Sequence, residues 1–409
     1  MEDKYALITT LVAAIVLAFV LGFVASRLRL SPIVGYLLAG LAVGPYTPGF
    51  TGNTELALQL SEIGVILLMF GVGLKISIDD IWSVRGIAVP GSLVHTLAAG
   101  AVGYVTGLLL GMSGVESFVL GASLSIASTI VFLRAMEDKR ALKTEEGRIG
   151  ISWLLIEDVL IVLAIVVLPA IVSAMAAEQA NVSIGPLVIA LAITFAKIAG
   201  FIALMLVIGG RFFPWLIVQI AHAKSRELLS LGTLSLALGV AWAAYFWFGA
   251  SFALGAFLGG LALNGSRFSH KVAEDSLPLR DTFAVLFFVA VGMLFDPFVV
   301  IREPWSVAAI VAVVIVGKAL LAFVLMRMMK QPPQASALVA LGLAQIGEFS
   351  FVLAGLGLQL EVMAQETYNL ILAAALISIA VNPFLLRLVP DSEPLKAKTQ
   401  AAPASESAH

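Results

Sequence analysis

Apolar stretches about 20 residues long recur between Tyr5 and Val389 and dominate the sequence of 409 residues. Each stretch is long enough to cross a hydrocarbon core about 30 Å thick as an α-helix. The sequence is 60% hydrophobic and 12% charged, whereas soluble domains have about 45–50% apolar and about 25% charged residues. Lipid offers no partner to free backbone groups, and these stretches are too long and continuous for barrel strands. The chain is therefore predicted to be an all-α polytopic membrane protein.

Polar residues, glycines and prolines divide this apolar sequence into thirteen predicted transmembrane helices. The predicted spans are about 5–26, 32–47, 56–74, 87–111, 115–134, 147–173, 187–213, 227–246, 249–264, 279–296, 304–327, 335–358 and 364–388. Lysine and arginine in short loops favour the cytoplasmic side. With thirteen spans, most of the 24 lysines and arginines fall in loops on one side, and the other side holds only Lys4 and Arg302. This asymmetry predicts an N-terminus outside and a C-terminus in the cytoplasm.

The two halves of the chain repeat each other at a spacing of 220 residues. SPIVGYLLAGLAVGP at 31–45 aligns with SFALGAFLGGLALNG at 251–265, and STIVFL at 128–133 aligns with EFSFVL at 348–353. Seven spans separate the paired elements, and this odd number means that the second copy enters the membrane from the opposite face. Inverted repeats are common in secondary transporters, whose binding site lies near the bilayer midplane at interrupted helices.

Two adjacent acids, Glu157 and Asp158, lie near the middle of the sixth span. An ionised carboxylate at the bilayer centre costs about 2.5–3.5 kcal/mol, so intramembrane acids usually pair with a cation or line an ion path. Lys318, halfway along the eleventh span, is the expected partner. A buried ion pair that only locks helices together, or a lysine that snorkels to the interface, is the structural alternative.

The fifth and twelfth spans carry polar residues at positions that the repeat relates. The segments are SLSIASTIVF at 123–132 and LAQIGEFSF at 343–351. Both are predicted to be helices broken in mid-membrane, where unwound carbonyls and helix ends stabilise ions. Helix packing by serines and threonines is the alternative. Glu348 is expected to be a structural charge rather than a ligand, and His95 a hydrogen-bonded helix contact. The other polar residues of these breaks are Ser125, Ser128, Thr129 and Gln345.

Other features exclude several kinds of function. The absence of cysteine excludes disulfides, thiolate metal sites and thiol nucleophiles. A net charge of -2 argues against nucleic acid as a partner. The first apolar segment lacks a basic start and a clear cleavage site, so a removable signal peptide is not expected. Residues 391–409, rich in Pro, Ala, Ser and Lys, are predicted to be disordered. A transporter without a cofactor is expected, rather than an enzyme.

These residues together resemble the Kef-type members of the monovalent cation:proton antiporter-2 family over about residues 5–390. The resemblance is carried by Glu157, Asp158, Lys318 and the segments SIASTIVF and AQIGEFSFVLAG. SPIVGYLLAGLAVGP, LLMFGVGL and FALGAFLGG resemble the family's framework segments. The resemblance implies a sodium/proton-antiporter-like fold with two crossing broken helices, and a homodimer in the inner membrane. It also implies a dimerisation part at about 5–74 and 227–296, a linker helix at about 187–213, and a core part at about 87–173 and 304–388 that moves like an elevator.

By position, the resemblance assigns roles to individual residues. Asp158 corresponds to the family's cation-binding aspartate. Glu157 takes the preceding place, where an acid tends to pair with the lysine matched by Lys318. Ser128 and Thr129 match the break that offers hydroxyl or carbonyl oxygens to the cation. Kef-type proteins usually continue into a cytosolic nucleotide-binding domain, and this chain stops after a short tail, so regulation by nucleotide or glutathione is not inferred.

The chemistry of a buried carboxylate predicts antiport. Such a group is most stable when it holds either a proton or a metal cation, and it cannot easily hold both. Alkali cations suit oxygen ligands such as Asp158, hydroxyls and free carbonyls. The resemblance favours potassium, and sodium is the alternative. A channel-like potassium efflux pathway and a receptor or scaffold that transports nothing are further hypotheses, although costly mid-membrane charges argue against the scaffold.

Overall fold

The structure is a computed structural model that describes most of the chain. The described residues are 5–28, 30–75, 85–141, 144–179, 192–193, 196–197, 199–222, 225–250, 252–264 and 269–389. Within these ranges all regular structure is helical, as predicted. The predicted disordered tail at 391–409, Lys4 and the first part of the predicted linker helix lie outside the described residues.

The described helices follow the predicted spans. In the first half they are α1 Ala6–Arg27, α2 Pro32–Val43, α3 Thr54–Lys75, α4 Arg85–Leu109, α5 Gly114–Ser125, α6 Thr129–Asp138, α7 Glu145–Gln179 and α8 Ala199–His222. In the second half they are α9 Arg226–Phe248, α10 Phe252–Leu263, α11 Ser269–Met293, α12 Val299–Arg302, α13 Pro304–Met328, α14 Pro333–Gly342, α15 Glu348–Gln359 and α16 Gln365–Arg387. Eight of these helices are long and apolar enough to cross a membrane, so length and composition do not by themselves establish a count of thirteen.

Local sequence signals set several helix boundaries. Ser31 caps α2 by accepting a hydrogen bond from the Ile33 amide, and Pro32 occupies the first helical position. Ser113 and Ser225 cap α5 and α9 in the same way. These serines satisfy amide groups that a helix N-terminus leaves free. Gly249 ends α9 in the left-handed conformation, with φ 66°, which glycine adopts at little cost.

Helix α8 extends beyond the end predicted for the seventh span. The prediction ends at residue 213, but the helix continues through Pro214 to His222. A proline removes one backbone donor, and helices in membranes tolerate this loss when local adjustments satisfy the freed groups. Here a π-helical turn at Met205–Gly209 precedes the proline.

Glycine contacts show that the two repeats pack reciprocally. A Cβ atom on Gly40 in α2 would lie 2.0 Å from the Val289 carbonyl oxygen in α11, and one on Gly260 in α10 would lie 2.1 Å from the Phe70 carbonyl oxygen in α3. The repeat relates Gly40 to Gly260 and Phe70 to Val289, so one contact is the copy of the other. The reverse contacts are Gly73 with the Phe257 oxygen at 2.2 Å and Gly292 with the Leu37 oxygen at 2.1 Å. The predicted repeat is confirmed by these reciprocal backbone-to-backbone crossings.

Two predicted helix breaks are also confirmed. Helix α5 ends at Ser125 and α6 begins at Thr129, with Ile126 extended at φ -92° and ψ 138°. Helix α14 ends at Gly342 and α15 begins at Glu348, with Gly347 extended at φ -87° and ψ 164°. Each break therefore leaves backbone groups in the interior without helical partners.

Candidate functional site

The two extended segments cross in direct backbone contact. The Gly347 amide donates a hydrogen bond to the Ile126 carbonyl oxygen at 3.1 Å. A Cβ atom on Gly347 would lie 2.7 Å from the Ala127 carbonyl oxygen and 2.8 Å from its carbon. The crossing therefore needs glycine at position 347 because a side chain would collide with the other backbone.

Side chains from the second broken helix complete hydrogen bonds of the first. The Ser128 amide donates to Gln345 Oε1 at 2.9 Å, and Gln345 Nε2 donates to the Ser128 oxygen at 3.1 Å. The Gln345 side chain thus replaces a backbone partner for Ser128. Ser350 Oγ donates to the Ser123 oxygen at 2.6 Å. Ser125 Oγ, by contrast, donates to the Ala122 oxygen of its own helix at 2.8 Å.

Lys318 joins the two breaks with its ammonium group. Its Nζ donates to the Ile126 oxygen at 3.1 Å and to the Gln345 oxygen at 2.9 Å. The side chain is buried and directly follows a π-helical turn at Val313–Gly317; such turns are frequent at functional sites. The two carbonyls lie just beyond the C-terminal ends of α5 and α14, where the helix dipole favours a positive charge. Lys318 therefore stabilises both half-helices at once.

Glu157 is fully buried and accepts hydrogen bonds on both carboxylate oxygens. Trp153 Nε1 donates to Oε1 at 3.1 Å, and His95 Nδ1 lies 3.0 Å from the same oxygen. The Ala127 amide donates to Oε2 at 3.1 Å. The carboxylate is thereby attached to the break between α5 and α6.

The expected ion pair between Glu157 and Lys318 is not formed. The two charged groups instead bind opposite ends of one peptide group, because Lys318 contacts the Ile126 carbonyl and Glu157 contacts the Ala127 amide. The physical reason is the helix break, which frees both polar ends of that peptide between the two side chains. The lysine and the acid are therefore coupled through the backbone and not through a direct contact.

Asp158 points to a different part of the site. Its Oδ2 accepts a hydrogen bond from Thr129 Oγ1 at 3.1 Å, at the first residue of α6. Its Oδ1 is buried and receives no hydrogen bond within the described structure. A buried carboxylate oxygen without a partner is costly, and a bound proton or cation removes that cost.

The remaining predicted residues surround this centre. Ser128 Oγ accepts a hydrogen bond from the Val131 amide at 3.3 Å and so caps α6. Glu348 is buried and begins α15, where the helix dipole favours a negative charge. His95 is hydrogen-bonded, as expected, and its Nε2 lies 3.3 Å from the Lys318 oxygen. Sequence reasoning missed Trp153. Its spacing of four from Glu157 puts both side chains on one helix face, and this was the available signal.

Comparisons with known proteins agree with this fold. The family model described as "Sodium/hydrogen exchanger, transmembrane" matches residues 14–389. The putative cation/proton antiporter YbaL of Escherichia coli strain K12 is 48% identical over 98% of this chain and 71% of its own length. The glutathione-regulated potassium-efflux system protein KefC of Enterobacter sp. strain 638 is 30% identical over 90% of this chain and 58% of its own length. The resemblance found in the sequence is thus confirmed.

A solved structure shares the fold. The sodium proton antiporter MjNhaP1 from Methanocaldococcus jannaschii at pH 8 superimposes with a TM-score of 0.72 over 95% of this chain and 99% of that chain, at 16% identity. The named relatives are transporters and not enzymes. The family match over nearly the whole chain, together with the fold, shows that the chain belongs to the sodium/hydrogen exchanger family.

Proposed function

We propose that the chain exchanges a monovalent cation for a proton across the membrane, with Asp158 binding each in turn. The observation that carries this proposal is the buried Asp158 Oδ1 at the crossing of two broken helices, which receives no hydrogen bond from any residue that the structure describes. A proton or an alkali cation completes the carboxylate, and each excludes the other because both neutralise the same charge. This competition couples the two fluxes.

Oxygen atoms near Asp158 supply the other ligands in this proposal. Thr129 contributes a hydroxyl that already contacts Asp158. Ser128, next to it, and the free carbonyls of the break supply the oxygen donors that alkali cations prefer. Gln345 and Lys318 hold the break together, while Glu348 and Ser125 support the half-helices from outside the ligand set.

The transported cation is proposed to be potassium. The relative KefC is named as a potassium-efflux protein, and the sequence resemblance leads to the same cation. Sodium is the second candidate, since the matching family model and MjNhaP1 are both named for sodium. A channel-like potassium pathway is a weaker candidate because a buried carboxylate with a free oxygen would hold the ion too well for rapid conduction.

Transport is proposed to follow an elevator-type alternating access in a homodimer. The dimerisation part at about 5–74 and 227–296 contains all four reciprocal glycine contacts, which suit a rigid support. The core part at about 87–173 and 304–388 contains Asp158, Glu157, Lys318 and both breaks, and it is proposed to carry the cation across. The distribution of lysine and arginine favours an N-terminus outside and a C-terminus inside, in the plasma (inner) membrane.

The direct test is proton movement in proteoliposomes that contain a pH-sensitive dye. Outward gradients of potassium, sodium or lithium should each be compared at several pH values, with the membrane potential clamped. The proposal expects proton uptake that starts with the potassium gradient and disappears without it. Cation flux of the same size with and without a proton gradient would support the channel and exclude antiport. Exchange with sodium but not with potassium would support the second candidate.

A further inference from the structure

Glu157 has its carboxylate held by three nitrogen contacts from three parts of the chain. His95 comes from α4, Trp153 from α7 and the Ala127 amide from the break, at 3.0, 3.1 and 3.1 Å. An ionised carboxylate only accepts hydrogen bonds, and an indole or backbone N–H only donates them. Glu157 is 0% exposed, and all three of these contacts hold it toward α4 and the Ala127 amide.

We propose that His95 is a positioning residue of the exchange site. With Trp153, it fixes the Glu157 carboxylate on the Ala127 amide. In this proposal Glu157 holds the broken helix in place, and Asp158 is the acid that binds the ion. The consequence for transport rests on the proposed function, whereas the role of His95 in holding Glu157 does not.

The surroundings of His95 are built to hold one orientation of its ring. The ring is fully buried, and its edge packs against Trp153 with centroids 5.5 Å apart and planes at 75°. Its Nδ1 faces the Glu157 carboxylate at 3.0 Å, and its Nε2 faces the Lys318 carbonyl at 3.3 Å. Both nitrogens thus face acceptors, and the shorter contact is to the charged group, which forms the stronger hydrogen bond. The geometry therefore favours a hydrogen on Nδ1.

A short chain of contacts links His95 to the cation site. Glu157 holds the amide of Ala127, and two residues further on Thr129 donates to Asp158. If the Glu157 carboxylate swings away, the Ala127 amide loses its acceptor and the start of α6 loses one of the contacts that fix it. Residues that orient a ligand in this way typically change metal affinity by about 10- to 100-fold when they are lost.

Substitutions at position 95 test this role. His95→Leu should raise the KM for the transported cation about tenfold and leave the maximal rate within about twofold, because Asp158 itself is intact. His95→Gln, whose amide can still donate to Glu157, should recover most of the affinity. Thr96→Val is the matched control, since Thr96 is the next residue of α4 and its hydroxyl has no partner in the described structure. An unchanged KM in His95→Leu, or equal losses in the Leu and Gln variants, would overturn the proposal.

Two measurements of cation binding test the role of His95 without relying on transport activity. Stabilisation of the purified protein by potassium or sodium chloride in thermal unfolding, against choline chloride, reports cation binding alone. A smaller stabilisation in His95→Leu would support the positioning role even if the wild-type protein exchanged no protons. In a Glu157→Gln background, His95→Leu should have little further effect on this stabilisation, and an undiminished effect would show that His95 does not act through Glu157.

The ring itself can be observed without changing it. The sequence has four histidines, so replacing His222, His270 and His409 by glutamine leaves His95 as the sole source of a ¹⁵N-histidine signal. The proposal expects a hydrogen bonded directly to Nδ1 near neutral pH. An Nδ1 without hydrogen would contradict it, because Glu157 would then have nothing to accept from the ring.

Discussion

Gly347→Ala is the sharpest test of the helix crossing. Gly347 has φ -87° and ψ 164°, an extended conformation that alanine adopts freely. Any loss in the variant must therefore come from contacts and not from backbone strain. The added Cβ would lie 2.7 Å from the Ala127 oxygen and 2.8 Å from its carbon, and both atoms belong to the backbone of the other break.

The size of the effect follows from these distances. Non-bonded atoms prefer separations of about 3.5–4.0 Å, so the two breaks must move apart by roughly 0.8 Å. Overpacking of this kind costs about 1–3 kcal/mol of stability. The movement also stretches the hydrogen bond from the Gly347 amide to Ile126, now 3.1 Å. Because a displacement of about 1 Å in a site can cost about 100-fold in rate, we expect exchange at limiting cation to fall by about 10- to 100-fold.

Gly355→Ala, within the helix α15 that Gly347 precedes, provides the matched control. A Cβ at Gly355 meets nothing within 4 Å, and alanine within a helix is favoured over glycine by about 1 kcal/mol. Thermal unfolding in detergent and initial rates in proteoliposomes should separate the two variants. If Gly347→Ala matched Gly355→Ala in both measurements, the direct backbone crossing would be refuted.

Two further substitutions test the hydrogen bonds of the site. Thr129→Val removes the donor to Asp158 Oδ2, a hydrogen bond to a charged group that is worth about 1.5 kcal/mol. We expect the cation KM to rise about tenfold in this variant and to stay near the wild-type value in Thr129→Ser. Equal KM values for the Val and Ser variants would contradict this. Lys318→Met removes two charge-assisted bonds, to Ile126 and Gln345, worth about 3–6 kcal/mol together. The unfolding temperature should fall well below that of Lys330→Met, which changes an exposed lysine, and equal temperatures would show that Lys318 does not hold the breaks together.

The fold was predictable because local sequence patterns determine its main features. Spans about 20 residues long are dictated by the thickness of the bilayer. The repeat was visible because Gly40 and Gly260 occupy crossings where only glycine fits, so the same small residue recurs at the same spacing. The end of α8 was not predictable, since Pro214 reads as a boundary in soluble helices but is tolerated in this one.

The site was predictable in its members but not in its pairings. Glu157, Asp158 and Lys318 stood out because charges in mid-membrane are costly. Their partners depend on backbone groups freed by the breaks, and sequence does not show which carbonyl or amide faces which side chain. His95 is 62 residues from Glu157 in sequence, so only the packing of α4 against α7 reveals that contact.

The central claim is that one carboxylate, Asp158, is shared in turn by protons and alkali cations. Its most direct test is to measure cation-driven proton movement in proteoliposomes that contain the Asp158→Asn variant. The control variant is Asp281→Asn, which changes an acid whose side chain is 64% exposed and paired with Arg280. The account predicts no exchange and no cation-dependent stabilisation in Asp158→Asn, and normal values for both in Asp281→Asn. Full exchange by a folded Asp158→Asn protein would contradict it.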